Sequence, residues 1–215
     1  MDKQIANLYD TGKVQEAIHK LVEKIDKNPQ KMENYLQLST YLMEQGSSDQ
    51  AVKLLEEAKH LVKKPQELDY NLAVCYYMQG DFDKSLALLE KIPNDDISLY
   101  QKALVYLKLD QSQKALAYAM TIKKIDNRVK ELLGDIWLSL GDTKQAEATY
   151  CQIAEKERNS KVNFLIGICL LENNRDEAEK FFALSKKQDE KYFEQAKNQY
   201  SAIMKMINDK EKKNG

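Results

Sequence analysis

A turn residue recurs along this chain at steps of 30 to 34 residues, and a small residue follows each turn five positions later. The turn and small-residue pairs are Gly12 and Ala17, Gly46 and Ala51, Gly80 and Ser85, Asp110 and Ala115, Gly141 and Ala146, and Asn173 and Ala178. The chain has only 3 Pro and 7 Gly and is rich in Leu, Lys, Ala, Glu and Gln, which favours helices. A period of this length with a turn inside each unit predicts a stack of helical hairpins.

Elementary packing explains the residue types in this repeat. Two antiparallel helices approach closely only where small side chains lie at the crossing point, so Ala51 and Ala146 are expected in the core. Gly or Asn at the turn fits the left-handed conformation that often ends a helix. Each hairpin leaves an apolar face that only a neighbouring hairpin can cover, so the units are expected to stack.

The residues around the turns resemble the tetratricopeptide repeat (TPR) pattern. The third unit carries Leu72 and Tyr76 at the spacing of that pattern, and the fifth carries Gly134 and Trp137. The resemblance covers about residues 2–187. It implies an all-α, right-handed superhelical solenoid of about six TPR helix-turn-helix units plus a C-terminal capping helix.

The repeat divides the chain into an array, a capping helix and a tail. The array covers 1–187, with units at about 1–31, 32–65, 66–95, 96–126, 127–158 and 159–187. A stripe of apolar residues at helical spacing then predicts a capping helix over 188–210, followed by a disordered tail over 211–215. The stripe comprises Tyr192, Ala196, Tyr200, Ile203 and Ile207. The alternative is that this helix docks into a groove of its own chain or of a neighbouring chain.

Composition restricts the functional class. A formal net charge of −1 argues against direct binding of nucleic acid, which needs a basic surplus. The longest strongly apolar run, Phe164–Leu171, is about half a membrane span, and the N-terminus lacks the pattern of a secretory signal. Three widely spaced cysteines fit a reducing compartment, so a cytoplasmic protein without membrane contact is expected.

No residue pattern predicts a catalytic centre, a metal site or a cofactor. His19 and His60 each stand alone, without a Cys or carboxylate at metal-ligand spacing. The thiols of Cys75, Cys151 and Cys169 fall on repeat core positions, where buried, unreactive cysteines are common. We therefore expect no enzyme activity.

The resemblance also implies a binding surface, because the first helices of successive repeats in this family line a concave face that binds peptides. The matching positions are Leu36, Thr40, Met43, Tyr70, Val74, Tyr77, Met78, Tyr100, Leu104, Leu107 and Lys108. Further along, the matching positions are Arg128, Glu131, Asp135, Asn163, Gly167 and Leu170. A contiguous Tyr- and Met-rich apolar patch is typical of an interaction site. The alternative for each single residue is that its side chain belongs to the core between helices.

One known mode of binding is not expected. Members of the family that capture chaperone tails clamp a terminal carboxylate with Lys, Asn and Arg side chains. The matching positions here carry Asp2, Ala6, Gln37, Glu67 and Asn71, which do not form a cationic clamp. Shifting the frame by one unit gives Leu36, Thr40, Asn71, Ile97 and Gln101, which also lack cations.

Together these features predict a non-catalytic adaptor or scaffold that binds a peptide or helical segment of another protein in a concave groove. Two alternatives remain open at this point. One is a repeat protein that forms homodimers or larger homo-oligomers. The other is a peptide-sensing regulatory module that lacks a DNA-binding domain of its own.

Overall fold

The computed structural model describes the backbone of residues 2–214 and the side chains of residues 2–202 and 205. Every regular element within this part of the chain is helical, and no strand occurs in it. The predicted all-α class is therefore confirmed, whereas the handedness of the superhelix and the number of its repeats stay predictions. The chain forms two compact units, residues 1–111 and 112–215.

The first unit consists of helical hairpins and one further helix. Its helices are α1 (Lys3–Asp10), α2 (Val14–Lys27), α3 (Met32–Glu44), α4 (Ser48–Lys59), α5 (Asp69–Gln79), α6 (Phe82–Leu89) and α7 (Asp96–Lys108). A short 3₁₀ helix, Pro65–Leu68, precedes α5.

The second unit begins within the predicted fourth repeat, after the loop that follows α7. Its helices are α8 (Ser112–Ala119), α9 (Asn127–Ser139), α10 (Thr143–Cys151), α11 (Ser160–Leu170), α12 (Arg175–Gln188) and α13 (Glu190–Asn214). Helix α13 thus continues past residue 210, the predicted end of the capping helix. The side chains of the predicted tail, 211–215, lie outside the described residues.

The recurring turns have the conformation that the sequence predicts at five of the six positions. The residues with positive φ are Gly12, Gly46, Gly80, Asp110 and Gly141, with φ between 56° and 82°. At these turns the next N–H donates to the carbonyl five residues back, as from Ser47 to Leu42 at 2.8 Å.

The prediction is wrong at Asn173, because the described residues have no left-handed backbone at this turn. Here the N–H of Asn174 donates to the carbonyl of Leu170 at 2.7 Å. The side chain of Asn174 then accepts from the N–H of Glu177 at 3.3 Å and caps α12. A side-chain cap thus replaces the left-handed residue.

The small residue after each of the six turns is completely buried, as expected. These residues are Ala17, Ala51, Ser85, Ala115, Ala146 and Ala178. Where serine replaces alanine, its hydroxyl is used: Ser85 donates to the carbonyl of Ala73 at 2.8 Å and joins α6 to α5. The crossing points are therefore close-packed without an unsatisfied polar group at Ser85.

The first turns of α13 pack on α11 and α12 through aromatic rings. The ring of Phe164 on α11 lies 5.9 Å from Phe193 and 6.4 Å from Tyr192, in edge-on geometry. Phe182 on α12 lies 6.3 Å from Phe193. Tyr192, Ala196 and Tyr200 of the predicted stripe are half-buried; the side chains of Ile203 and Ile207 lie outside the described residues. In the described part of the chain, no helix combines the length and hydrophobicity needed to cross a membrane.

Candidate protein-binding surface

The eleven predicted binding residues lie on three successive first helices of the repeats, α3, α5 and α7, all within the first compact unit. None of them is fully buried: nine are half-buried, and Met78 and Lys108 are exposed. We call the face that these eleven residues share the α3–α5–α7 surface.

Side-chain amides hold these first helices side by side. Gln37 on α3 accepts from the N–H of Asp2 at 2.8 Å, just before α1. Asn71, at the same position one repeat later, donates to Ser39 Oγ at 3.3 Å and to the carbonyl of Leu36 at 3.5 Å. Each amide therefore reaches back to the preceding first helix. The contact of Asn71 fixes the spacing between α3 and α5.

Many of the predicted residues also contribute to the core, as the alternative interpretation allowed. Leu36 and Met43 pack against the core cluster of α3, α4 and α5. Tyr70 and Tyr77 pack against the cluster around Ala73. The ring of Tyr77 lies 5.7 Å from Phe82 at an angle of 54°. These side chains therefore form the floor of the surface.

The hydroxyl of Thr40 is already used, since it donates to the carbonyl of Leu36 at 2.9 Å. Such a bond inside a helix leaves Thr40 as a spacer between apolar residues. We assign it no specific contact with a partner.

Two large apolar side chains stand out into solvent on this surface. Met78 on α5 is 58% exposed and Ile97 on α7 is 60% exposed. Ile97 was not among the predicted binding residues, although the sequence carries a signal for it: Glu33 and Glu67 occupy its position in the two preceding repeats. An isoleucine where other repeats place a charge points to a contact with something other than water.

A pocket of about 430 Å³ lies beside Ile97, between the start of α5 and the start of α7. Tyr70, Ile92, Pro93 and Ile97 form its apolar walls. Its polar lining residues are Gln66, Glu67, Lys91, Asp95 and Ser98. A cavity of this size accepts a large side chain of a partner.

The loop that forms one wall of the pocket is tied down by hydrogen bonds. Asp95 and Ser98 form a capping box at the start of α7, and Ser98 Oγ also donates to the carbonyl of Pro93 at 2.6 Å. Lys102, which is buried, donates to Asn94 Oδ1 at 2.5 Å. Burial lowers the pKa of Lys102, while the charge of Glu90 acts in the opposite direction. The pocket is therefore preformed.

A second pocket of about 500 Å³ lies on the other side of this unit, between α4, α5 and α6. Four of its five polar or charged lining residues, Glu56, Lys59, Tyr76 and Lys84, already have partners. The hydroxyl of Tyr76 donates to Glu56 at 2.5 Å; burial, followed by this bond, raises the pKa of Tyr76 to about 12. Lys59 pairs with Asp69 at 2.7 Å. We therefore place the candidate site at the α3–α5–α7 surface.

In the second compact unit, the predicted polar positions form an internal network. Lys161 on α11 binds Glu131 at 2.7 Å and Asp135 at 2.6 Å, both on α9. Tyr150 on α10 donates to the other oxygen of Asp135 at 2.6 Å. Burial lowers the pKa of Lys161, but Asp135 and Glu131 outweigh this effect and raise it to about 12. Arg128 pairs with its neighbour Asp126 at 3.1 Å.

The last three positions of the predicted concave face are wrong. Asn163, Gly167 and Leu170 are all buried. Gly167 lies so close to α12 that a Cβ atom there would meet Cδ1 of Phe182 at 2.7 Å. Helix α11 is covered by both α12 and α13, so the side of α11 that these residues occupy belongs to the core.

The cysteine prediction needs one correction. Cys75 and Cys169 are buried, and burial raises the pKa of each thiol to about 12. Cys151 is exposed, although the repeat pattern placed it in the core. Among the described residues, no group of three or more His, Cys, Asp or Glu side chains has the arrangement of a metal site.

Gln101 on α7 occupies the repeat position of Gln37 and Asn71, but its amide nitrogen has no partner on the preceding first helix. It is only 5% exposed, and its Nε2 finds no acceptor among the described residues. Asn71 donates to the hydroxyl of Ser39 on the preceding first helix. One repeat later, the residue that corresponds to Ser39 is Ala73, which has no hydroxyl to accept a bond from Gln101. We expect Gln101→Leu to be neutral or to stabilise the fold by about 1 kcal/mol, because it removes a buried unsatisfied group.

Urea unfolding followed by circular dichroism measures this difference. The matched variant is Asn71→Leu at the same repeat position, which is expected to lose about 1 kcal/mol because its bonds are made. Equal destabilisation by the two substitutions would contradict the assignment.

Comparison with known proteins agrees with this architecture. Two models of the tetratricopeptide repeat match the sequence, one over residues 42–104 and the other over residues 97–129. No curated protein sequence matches the chain.

Solved structures share the fold at low sequence identity. The APC/C hetero-tetramer Cut9–Hcn1 aligns with a TM-score of 0.75 at 15% identity, over 85% of this chain and 38% of the other. This chain thus spans well under half of that protein. The pilF protein of Pseudomonas aeruginosa has a TM-score of 0.72 at 14% identity, over 93% and 95% of the two chains. YrrB has a TM-score of 0.57 at 16% identity, over 83% and 97%.

Proposed function

This chain is a tetratricopeptide-repeat protein, and we propose that it is a non-catalytic adaptor that binds a peptide or helical segment of another protein on the α3–α5–α7 surface. The observation that carries this proposal is a pair of exposed apolar side chains on one surface: Ile97, which lines a preformed pocket, and Met78, near the other end of α5. Proteins of this fold generally mediate protein–protein interactions.

The composition of the surface supports binding. Tyrosine offers a large contact area at low entropic cost, and methionine adapts to irregular partners. Half-buried Tyr70 and Tyr77 form a fixed floor, so little side-chain entropy is lost when a partner covers them. Met78 and Ile97 then supply apolar area that remains in water until a partner binds.

Two of the similar structures are consistent with this role. YrrB is described as a TPR protein with an unusual peptide-binding site. Cut9 is described in a hetero-tetramer with Hcn1. By analogy, a protein or peptide ligand is proposed for this chain. The polar groups around the pocket serve mainly as caps and loop ties, an arrangement suited to binding more than to catalysis.

The test is the double substitution Met78→Asp and Ile97→Asp. Both side chains are exposed, so the fold is expected to survive, while two charges now lie where a partner buries apolar groups. Affinity for proteins captured from a cell extract, quantified by mass spectrometry, is expected to fall at least about tenfold, since burying one such side chain contributes about 1.5–3 kcal/mol.

The control is Leu61→Asp, which changes an exposed apolar residue just after α4, outside the proposed surface. Partners that survive Leu61→Asp but not the double substitution support the proposal. Partners that survive both would overturn it. Sedimentation of the unmodified chain tests the alternative: self-association that the double substitution abolishes would make this face an interface between copies.

A further inference from the structure

The α3–α5–α7 surface has an uneven distribution of charge. Two exposed positions recur on each of its helices, one before and one after the half-buried apolar residues. They are occupied by Glu33 and Glu44 on α3, by Glu67 in the 3₁₀ helix just before α5 and Met78 on α5, and by Ile97 and Lys108 on α7. We call these six residues the exposed edge of the surface; its charge therefore changes from one helix to the next.

These exposed residues lie on the side of each helix that faces the preceding first helix. On α5, Met78 lies seven residues after Asn71, whose amide reaches back to α3 at Ser39 and Leu36, and two turns of helix bring it to the same side. Directly after α3, Gln45 donates to the hydroxyl of Tyr9 on α1 at 3.1 Å. Glu44 precedes Gln45 and also lies near that hydroxyl, since burial and then the Glu44 carboxylate raise the pKa of Tyr9.

The net charge at this edge rises along the surface. Helix α3 contributes two carboxylates, Glu33 and Glu44. Just before α5, the charge of Glu67 is balanced by Lys64 at 3.1 Å. Helix α7 contributes Lys108 and, beside the pocket, the apolar Ile97. At these two positions α3 is therefore acidic, whereas α7 carries one lysine and one apolar residue. The other charged residues that line the pocket beside α7, Lys91 and Asp95, have opposite signs.

The dimensions of the surface favour a helical occupant. From Leu36 to Met43 the apolar strip is about 10 Å wide, at 1.5 Å per residue, which matches the diameter of an α-helix. Neighbouring helices are about 8–10 Å apart, close to the rise of seven helical residues. An extended peptide turns alternate side chains away and covers a narrower strip.

We propose that the occupant is an amphipathic α-helix of a partner protein, with basic residues at the end over α3 and a large apolar side chain in the pocket between α5 and α7. This proposal rests on the proposed function and adds the conformation, the charge and the direction of the partner. Complementary charge fixes the direction in which a partner binds and speeds its association.

The probe is a pair of displayed peptide libraries. Each peptide has about 21 residues, because about seven helical residues span the distance from one first helix to the next and the surface has three such helices. One is built on a neutral helix-forming framework with apolar positions every three or four residues. The other is spaced with prolines and stays extended. Both ends of each peptide are randomised among Lys, Glu and Gln. Selection on the full chain is expected to enrich the helical library, with Lys over Glu at one end.

Charge reversal then tests the direction. Glu33→Lys with Glu44→Lys is expected to weaken a selected peptide about fivefold at low salt and less at high salt, because exposed charges are screened. It should also enrich Glu in place of Lys in a repeated selection. The control, Glu57→Lys with Glu179→Lys, makes the same change of charge at exposed residues of α4 and α12.

The outcomes separate the two proposals. Binders that are lost on Met78→Asp and Ile97→Asp, but show no preference for Lys or prefer the extended library, overturn this inference and leave the proposed function intact. Absence of any binder that depends on Met78 and Ile97 overturns both.

Discussion

Replacing Gly134 with leucine is expected to lower the unfolding free energy of the α9–α12 region by about 3 kcal/mol or more. A Cβ atom at Gly134 would lie 2.6 Å from Cδ1 and Cζ of Tyr150. Tyr150 is fully buried, and its hydroxyl is held by Asp135, so the ring has nowhere to move. Overpacking of this kind costs about 1–3 kcal/mol even for small additions, and leucine adds three more carbon atoms.

Urea unfolding measured by circular dichroism gives this difference, and two further variants identify its cause. Gly134→Ala gains about 1 kcal/mol of helix propensity, so a net loss of stability in that variant demonstrates the steric clash. Gly167→Ala meets the ring of Phe182 at a similar distance, but Phe182 is half-buried and is expected to shift at lower cost. If Gly134→Leu were as stable as the unmodified chain, the close approach of α9 and α10 would be wrong.

The fold was predictable from the sequence because its repeat depends on local rules. A left-handed glycine at the turn and a small residue five positions later are needed wherever two helices of a hairpin cross closely. Gly134 is one of the residues of the fifth unit that match the TPR pattern. The sequence did not reveal that it faces Tyr150, because that contact depends on which bulky residue the second helix presents.

The errors lie where residues far apart in the sequence decide burial. Asn163, Gly167 and Leu170 follow the repeat pattern, but the aromatic rings of α12 and α13 enclose α11 there. Cys151 is exposed although its neighbour Tyr150 is fully buried, because successive residues of a helix with 3.6 residues per turn point about 100° apart. Ile97 was not predicted as a binding residue because the family pattern names only the usual inward positions. It stands out only by comparison with Glu33 and Glu67, the charged residues at the same position in the two preceding repeats.

Raising the pH above 9 is expected to destabilise both compact units steeply. Cys75 in the first unit and Cys169 in the second are buried, and burial raises the pKa of each thiol from 9.0 to about 12. In the unfolded chain these thiols lose their protons near pH 9. Between pH 9 and 12 the folded state therefore binds more protons than the unfolded state, and its stability falls as the pH rises.

The free energy of unfolding is expected to fall by about 1.4 kcal/mol per pH unit for each thiol. Between pH 9 and pH 11, each compact unit of the chain therefore loses about 3 kcal/mol of stability. Tyr76 and Lys161, whose pKa values are also raised to about 12, act in the same direction above pH 10. Urea unfolding of the reduced protein at several pH values measures this slope.

Cysteine substitutions show whether the thiols cause the slope. Cys75→Ala and Cys169→Ala each remove one buried thiol and are expected to flatten the decline of stability with pH in the unit concerned. Each also loses some packing, so the slope is the relevant measurement and the absolute stability is not. Cys151→Ala, at the exposed thiol, is the matched control and is expected to leave most of the slope unchanged. A decline that is equally steep in all three variants would mean that the two buried thiols are not its source.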